Sequence, residues 1–157
     1  MEQIDIVTPV TAKSYNELTG DDRRLIDAAR AATRGSYAPY SHFRVGAAIL
    51  LANGEVVTGA NQENAAFPSG TCAERSAAFW AGANYPDVPF VKIAIAAVAP
   101  DGCEPAVPVA PCGSCRQALL EYEKRAGEAV QVLLAGADAV YVVPSVKSLL
   151  PLAFSNF

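Results

Sequence analysis

Three of the four cysteines have the spacing of metal ligands. Cys112 and Cys115 form a C-x-x-C pair at the start of a predicted helix, where residues three apart lie on one face and both sulfurs can reach one ion. Cys72 opens a second predicted helix. If the two helix N-termini converge, three thiolates can hold zinc and leave its fourth position to water. That open position separates a catalytic zinc site from a structural one.

A carboxylate and a guanidinium follow Cys72 closely. Glu74 lies in the first turn of the predicted helix, where it could take a proton from zinc-activated water and pass it to a leaving group. Two residues correspond to a rotation of about 200° around the axis of an ideal helix, which would point Cys72 and Glu74 in nearly opposite directions. An irregular helix start must therefore turn Glu74 towards the metal. Arg75 can reach a sulfur and, together with the two helix N-termini, offset the negative charge of three thiolates.

Two other interpretations of the cysteines stay open on spacing alone. A C-x-x-C pair also occurs as the redox centre of thioredoxin-like proteins. A structural zinc site would need a fourth protein ligand, for which Cys103 and His42 are the candidates. Cys103 lies in a predicted loop, and His42, the single histidine, is expected to face solvent from a Ser-His-Phe loop.

The elements that must position these residues follow from hydrophobic periodicity and turn signals. An apolar stripe predicts a first helix that is capped by Asp21 and ends before Pro39. Asn53-Gly54 is the strongest hairpin signal. The predicted order is helix 21–36, strands 45–51 and 55–60, loop 61–71, helix 72–84, strand 91–98, loop 100–111, helix 112–124, strands 130–134 and 140–143, and a short closing helix 145–150. This order predicts an α/β fold in which helices pack on a mixed β-sheet of about five strands.

Composition and charge fit a single domain over 21–157, preceded by an N-terminal arm over 1–20. Of the 157 residues, 52% are hydrophobic and 18% are charged, which supports a real core and excludes a disordered chain. With 12 basic and 16 acidic residues, the net charge is −4. This charge argues against a protein that holds polynucleotides, because phosphates require a basic face.

The sequence gives no sign of a membrane segment. The longest apolar run, residues 45–52, is well short of the roughly 20 residues that span a bilayer. Residues 1–5 are acidic and lack the basic and apolar regions of a signal peptide. We therefore expect a cytoplasmic protein, whose cysteines serve as ligands or catalysts rather than as disulfides.

Taken together, the motifs resemble those of the cytidine deaminase family. The metal motifs, Cys72-Ala73-Glu74 and Pro111-Cys112-Gly113-Ser114-Cys115, are the all-cysteine form of the zinc-deaminase pattern. Further segments are similar to the family's N-terminal signature, its ribose-binding N-x-E-N and its C-terminal motifs: residues 37–48, Asn61-Gln62-Glu63-Asn64, Cys115-Arg116-Gln117 and Leu150-Pro151-Leu152-Ala153-Phe154. The resemblance covers about residues 25–154 and is to the small homotetrameric deaminases of free pyrimidine nucleosides.

The resemblance implies a role for each matching residue. It implies one zinc ion per chain bound by Cys72, Cys112 and Cys115, with Glu74 as the proton shuttle and Arg75 tempering the charge of the thiolates. The implied substrate contacts are Phe43 against the pyrimidine, the backbone of Ala73 at the polar edge of the base, Asn61 and Glu63 at the ribose hydroxyl, and Phe154 from a neighbouring subunit. A neutral sugar needs paired donors and acceptors, and a flat base suits an aromatic wall, so these residue types fit their implied roles.

The implied reaction is the hydrolytic deamination of cytidine and deoxycytidine to uridine and deoxyuridine, with release of ammonia, in pyrimidine salvage. Zinc-activated hydroxide would attack C4 while Glu74 moves the protons. A deaminase of another amidine, such as the blasticidin type, would lack the N-x-E-N motif. A polynucleotide deaminase is disfavoured by the acidic charge, and a non-catalytic zinc module would be expected to lose Glu74. Phe67 departs from the family pattern, because relatives often carry a tyrosine there.

Overall fold

The computed structural model describes residues 1–155, so the last two positions of the expected domain lie outside the described residues. It contains a six-stranded mixed sheet with three α-helices packed on it. The strands are β1 Thr11–Lys13, β2 Arg44–Leu51, β3 Val56–Ala60, β4 Phe90–Val98, β5 Gln131–Ala135 and β6 Val140–Val143, and the helices are α1 Gly20–Ala32, α2 Ala73–Asn84 and α3 Gly113–Ala126. The predicted α/β class with a mixed sheet is confirmed, with one strand more than the five expected.

The strand order in the sheet is β1-β6-β5-β4-β2-β3. Strands β4 and β5 are parallel, with Ile93 opposite Val132, and every other neighbouring pair is antiparallel. The parallel pair needs a crossover connection, which α3 provides. The predicted hairpin joins β2 to β3 through residues 52–55, where Gly54 has φ +88° and therefore occupies the left-handed region that favours glycine.

The two faces of the sheet are covered by different helices. On β4, Ile93 and Ile95 belong to the core beneath α2 and α3, whereas Ala94 and Ala96 belong to the core beneath α1. This alternation follows from the two-residue repeat of a strand, in which successive side chains point to opposite faces. Because α2 and α3 share one face, their N-termini can lie close together, and this places the site.

The N-terminal arm contributes a strand that the sequence did not reveal. Thr11 of β1 pairs with Val142, and Lys13 pairs with Val140, so β1 covers the outer edge of β6. The short strand adds the sixth member of the sheet and protects an edge that would otherwise offer unpaired backbone groups. The division into an arm over 1–20 and one domain over 21–157 stays a prediction.

Two helix boundaries differ from the predictions. The cap of α1 is Thr19, whose hydroxyl accepts a hydrogen bond from the Asp22 amide at 3.1 Å, so Asp21 is wrong as the cap and lies within the first turn. A serine or threonine hydroxyl is a good acceptor for this purpose, and Asp21 is then placed to interact with the positive helix end. The helix ends at Ala32, and a 3₁₀ turn at Thr33–Gly35 completes the predicted span.

The predicted closing helix over 145–150 is also wrong, because only a 3₁₀ turn forms at Lys147–Leu149. Pro151 restricts the preceding residue to extended conformations, and Leu150 accordingly has φ −134° and ψ 74°. The helix thus cannot continue through Leu150, and the three residues Lys147–Leu149 close only one 3₁₀ turn. In the described part of the chain, none of the helices has the length and apolarity needed to cross a membrane.

Candidate active site

The N-termini of α2 and α3 each begin with a cysteine. Cys72 is the N-cap of α2 and Cys112 is the N-cap of α3, both with extended backbone angles. Cys115 lies in the first turn of α3 and is buried. Because α2 follows β3 and α3 follows β4 on the same face of the sheet, the fold brings the three thiols to one place.

The sulfur positions suit a single metal ion. The Sγ atoms of Cys72 and Cys112 are 3.9 Å apart, those of Cys112 and Cys115 are 3.4 Å apart, and all three lie within 4.8 Å of one another. Thiolates bound to zinc at about 2.3 Å in a tetrahedron would be separated by roughly 3.8 Å, so the donor set and its spacing fit zinc. Among the described residues, neither Cys103 nor His42 belongs to this cluster, and both side chains are exposed.

Arg75 supplies positive charge to the cluster. Its Nη2 atom donates to the Cys72 sulfur at 3.5 Å. The hydrogen bond with the Cys115 thiol, aided by Arg75, lowers the pKa of Cys72 to about 5. The same shared hydrogen bond with Cys72, reinforced by burial, raises the pKa of Cys115. One sulfur is therefore a thiolate at neutral pH before any metal binds, and the thiolate is the form that coordinates metals.

Glu74 lies beside the cluster and is shielded from water. Its exposed fraction is 4%, and burial, with a smaller contribution from the Cys72 charge, raises the pKa of its carboxyl group. Burial therefore favours the protonated form of Glu74 more than at an exposed glutamate, and a carboxyl group shielded from water beside the thiols is placed to serve as a general acid or base. On an ideal helix, a residue two positions after Cys72 would point away from the Cys72 side chain. Cys72 is instead an extended cap residue outside the regular helical repeat, so Glu74 can lie on the same side as the sulfur.

An open cavity of about 360 Å³ lies next to the cysteine cluster. Its wall brings the predicted sugar-binding residues Asn61 and Glu63 together with Cys72 and Arg75. Loop residues complete the wall: Tyr40, Gln62, Asn64, Phe67, Gly70 and Thr71. A cavity of this size has the volume that a small-molecule ligand needs.

The rings of Tyr40 and Phe67 line the cavity in an edge-to-face contact, with their centroids 6.4 Å apart. Tyr40 is not among the predicted site residues. Its segment is interpreted from the sequence as the end of the first helix and as part of the N-terminal signature over 37–48, with no role for Tyr40 itself. Tyr40 lies in the Tyr-Ala-Pro-Tyr-Ser run, and two tyrosines around a proline in a polar loop are the signal that could have found it.

Glu63 is an ionised hydrogen-bond acceptor, and the loop containing Tyr40 and Ser41 holds it in place. Its Oε2 atom accepts hydrogen bonds from the amides of Tyr40 at 2.9 Å and Ser41 at 3.3 Å. A hydrogen bond from the Ser41 side chain, with these amides, lowers the pKa of the Glu63 carboxyl group. The carboxylate therefore retains the acceptor capacity that a sugar hydroxyl would need.

Asn61 is occupied by the protein itself. Its Oδ1 atom accepts from the Ser36 hydroxyl at 2.5 Å and from the Val45 amide at 2.8 Å, while Nδ2 donates to the Phe43 carbonyl at 2.9 Å. A carbonyl oxygen has two acceptor sites, and both are in use. Asn61 thus fixes the start of β2, and the second hydrogen of its amide is what it can offer to a ligand.

The other predicted substrate residues do not line this cavity in the described part of one chain. Phe43 is half-buried next to the start of β2, and Ala73 is fully buried in the first turn of α2. Phe154 is 72% exposed near the end of the described chain. Among the described residues of one chain, the lining of the cavity includes none of these three.

Comparison with known proteins agrees with this fold and this cysteine cluster. Residues 19–130 match the family described as the cytidine and deoxycytidylate deaminase zinc-binding region. Since that match covers most of the chain, the protein belongs to this family of zinc-dependent deaminases.

Several individual proteins that are similar to this chain are named cytidine deaminase. A protein from Sporosarcina psychrophila, named cytidine deaminase, is 38% identical over 136 residues, which cover 87% of this chain and 93% of its own. A cytidine deaminase from Halalkalibacterium halodurans is 46% identical over 101 residues, or 64% of this chain and 71% of the relative. The crystal structure of cytidine deaminase from Burkholderia pseudomallei superposes with a TM-score of 0.71 at 38% identity, covering 87% of this chain and all of that one.

Proposed function

We propose that the protein hydrolyses the exocyclic amino group of cytidine and deoxycytidine, giving uridine and deoxyuridine and releasing ammonia. The observation that carries this function is the arrangement of one cavity, which joins the Glu63 carboxylate to the cysteine cluster with buried Glu74 beside it. The relatives named as cytidine deaminases, which share most of the chain, support the choice of substrate. The product nucleosides suit a role in pyrimidine salvage.

The metal site would be formed by Cys72, Cys112 and Cys115, which would hold one zinc ion per chain. Zinc bound there would supply the activation of water at neutral pH. Glu74 accepts a proton from the attacking water and delivers it to N3 of the pyrimidine. It then takes the remaining proton of the hydroxyl group added at C4 and delivers it to the amino group, so that the C4–N bond breaks, ammonia leaves and the C4 carbonyl forms. Arg75 offsets the negative charge of the thiolates throughout.

The substrate would be oriented by the walls of the cavity. The Glu63 carboxylate accepts a hydrogen bond from a ribose hydroxyl, and Asn61 donates its remaining amide hydrogen to the same sugar. Phe43 packs against one face of the pyrimidine, while the backbone of Ala73 faces the polar edge of the base. Phe154 would close the site from a neighbouring subunit. Phe67 itself offers no hydroxyl to the substrate, in contrast to the tyrosine that relatives often carry at this position.

Assembly into a homotetramer would complete these sites. Phe79 and Trp80 on α2 are each 52% exposed, and adjacent large apolar side chains on a helix surface are typical of a subunit contact. A cytoplasmic location would keep the three clustered thiols reduced and ready for zinc.

An assay of ammonia release and ultraviolet absorbance across free nucleosides, nucleotides and oligonucleotides tests the function. Cytidine and deoxycytidine should be converted, and cytosine in oligonucleotides should not. Conversion of oligonucleotides alone, or of a different amidine compound alone, would contradict the proposal.

The ligand set is tested by metal analysis of single variants. Cys112→Ser should lose most of the zinc, because two thiolates remain. Cys103→Ser is the matched control, since that exposed thiol lies outside the cluster, and it should retain one zinc per chain. Loss of zinc in the Cys103 variant would assign a fourth protein ligand and a structural site.

A further inference from the structure

Arg116 follows Cys115 on α3 and makes two hydrogen bonds that lead away from the helix in different directions. We propose that Arg116 is a positioning residue that links the metal-binding turn, residues 111–115, to the C-terminal tail, residues 146–155. The proposal rests on the zinc-binding role of Cys112 and Cys115 given above, and it goes beyond that role by assigning a function to a residue that neither binds metal nor lines the cavity.

The first hydrogen bond fixes the approach to Cys112. The Arg116 Nε atom donates to the Pro111 carbonyl oxygen at 2.8 Å, and Pro111 is buried. The Pro111 carbonyl and the Cys112 amide belong to the same planar peptide unit. A side chain that holds this carbonyl therefore fixes the plane from which Cys112 enters α3, and with it the direction of the Cys112 sulfur.

The second hydrogen bond holds the tail. The Arg116 Nη1 atom donates to the Leu149 carbonyl oxygen at 2.8 Å, at the last residue of the 3₁₀ turn. The next residue of the helix continues the attachment, because Gln117 Nε2 donates to the Phe154 carbonyl oxygen at 3.0 Å.

A third side chain of α3 anchors the beginning of the tail. Glu123 is 8% exposed, and its carboxylate accepts hydrogen bonds from the amides of Val146 at 2.7 Å and Lys147 at 3.1 Å. The tail is thus held at its start by Glu123, at its middle by Arg116 and near its end by Gln117. Of these three side chains, Arg116 is the one that also contacts the metal-binding turn.

Arginine suits this task for a geometric reason. Its guanidinium is planar and always charged, and it presents donors in a fixed fork, so two acceptors on different segments are held at a set distance. Hydrogen bonds from a charged donor are also stronger than those between neutral groups. A lysine would retain the charge but lose the fork, so it could not hold both carbonyls in the same way.

The test compares Arg116→Lys and Arg116→Gln with the wild-type protein, all loaded with zinc. Two quantities are measured: the rate at which a chromogenic chelator removes zinc, and hydrogen exchange of the tail, where the amides of Leu149 and Leu150 are hydrogen-bonded within the turn. Groups that orient metal ligands typically change metal affinity by 10–100-fold, so zinc release should be about 10–100-fold faster in both variants. Exchange in the tail should also be faster.

Two controls separate this role from a general loss of stability. Arg125→Gln removes a similar hydrogen bond on the same helix, from Arg125 to the Pro86 carbonyl at 2.7 Å, and should change neither quantity. Gln117→Ala should speed exchange near Phe154 without affecting zinc release. Thermal unfolding and circular dichroism of each variant check that it is folded.

If zinc release and tail exchange both stay at wild-type values in the two Arg116 variants, the positioning role is wrong. A change in one quantity without the other would also overturn the link between turn and tail. Neither measurement uses cytidine, so a failure of the proposed reaction would show itself separately, as a zinc-loaded protein that releases no ammonia.

Discussion

Glu74 combines burial with a position beside the cysteine cluster, so its carboxyl group is expected to move protons without binding the metal. Glu74→Gln should retain one zinc per chain and the native fold, since glutamine has the same size. Turnover should fall by about 10²–10⁴-fold, because an amide cannot accept and return a proton. Turnover and metal content are measured on the same sample, and near-normal turnover in a zinc-replete variant would contradict the role.

Arg75 acts on the sulfur of Cys72, so its effect should depend on pH. In the metal-free chain, the pKa of Cys72 is about 5, below the ordinary value of 9.0. The thiolate therefore stabilises the fold fully above pH 9, and this contribution is lost as the pH falls from 9 towards 5. Arg75→Gln removes a cation from the thiolate and should raise the pKa of Cys72.

Alkylation of chelated protein at a series of pH values, with Cys72 followed by peptide mass spectrometry, measures this change. The half-maximal rate should move to higher pH in Arg75→Gln, while Cys103 serves as the internal control. With zinc bound, turnover at neutral pH should be roughly tenfold lower, because the cluster is more negative and the attacking water loses its proton less readily. If Arg75→Gln and the wild-type protein have identical alkylation and turnover profiles, Arg75 does not offset the negative charge of the thiolates, and the helix N-termini do.

At the scale of elements, the position of the site depends on how closely α2 approaches the sheet. A Cβ atom built on Gly59 of β3 would lie 2.5 Å from the Ala77 amide nitrogen and 2.8 Å from the Ala73 carbonyl oxygen. These are backbone atoms of α2 and cannot move aside alone. Gly59→Ala should therefore push α2 outward, destabilise the fold by about 1–3 kcal/mol and weaken zinc retention, because Cys72 moves with the helix.

Chemical unfolding and chelator competition measure the two effects. Gly20→Ala is the matched control, since no atom lies within 4 Å of a Cβ atom at the start of α1, and it should leave both quantities unchanged or slightly improved. If Gly59→Ala has the same free energy of unfolding as the wild-type protein, α2 can move away from β3 at little energetic cost, which would contradict this prediction.

The elements that the sequence predicted well are those with strong local signals. The apolar run over 45–51 predicted β2, and Asn53-Gly54 located the turn after which β3 follows as its antiparallel partner. Strand β1 could not be predicted, because three residues carry no periodicity and their pairing depends on Val140–Val143 at the far end of the chain. The helix predicted over 145–150 is wrong because its local pattern takes no account of Pro151, which restricts the conformation of Leu150.

The site shows the same division between local and distant information. The cysteine spacing predicted three sulfurs at two helix starts, and the structure confirms that they meet. The hydrogen bonds of Asn61 with Ser36, Phe43 and Val45 could not be predicted, because they join segments that are distant in sequence. Its motif suggests a ligand for sugar, whereas the structure shows in addition a brace for the start of β2.

At the scale of the whole molecule, Phe154 is expected to serve a site in another chain. It is largely exposed, on a tail whose backbone Gln117 holds against α3, so the ring is presented outward from its own subunit. We expect a homotetramer in which Phe154→Ala and Glu74→Gln each impair activity. Co-expression of the two variants should restore activity above the sum of the parents, because some hybrid sites combine Glu74 from one chain with Phe154 from another.

Native mass spectrometry establishes that mixed tetramers are present in the co-expressed sample. Simple additivity in such a sample would mean that each chain builds its own pocket. A monomer in solution would contradict the shared site directly.

During synthesis, β1 emerges first, yet its hydrogen-bonding partner β6 comes nearly last. A nascent chain that has reached Cys115 already holds all three clustered thiols, while Thr11–Lys13 stays unpaired until residues 140–143 are made. Domains begin to fold while they are still being translated, and a metal that binds only the folded arrangement favours folding. Zinc held by the three thiols would therefore favour the packed arrangement of α2 and α3 while β1 is still without its partner strand.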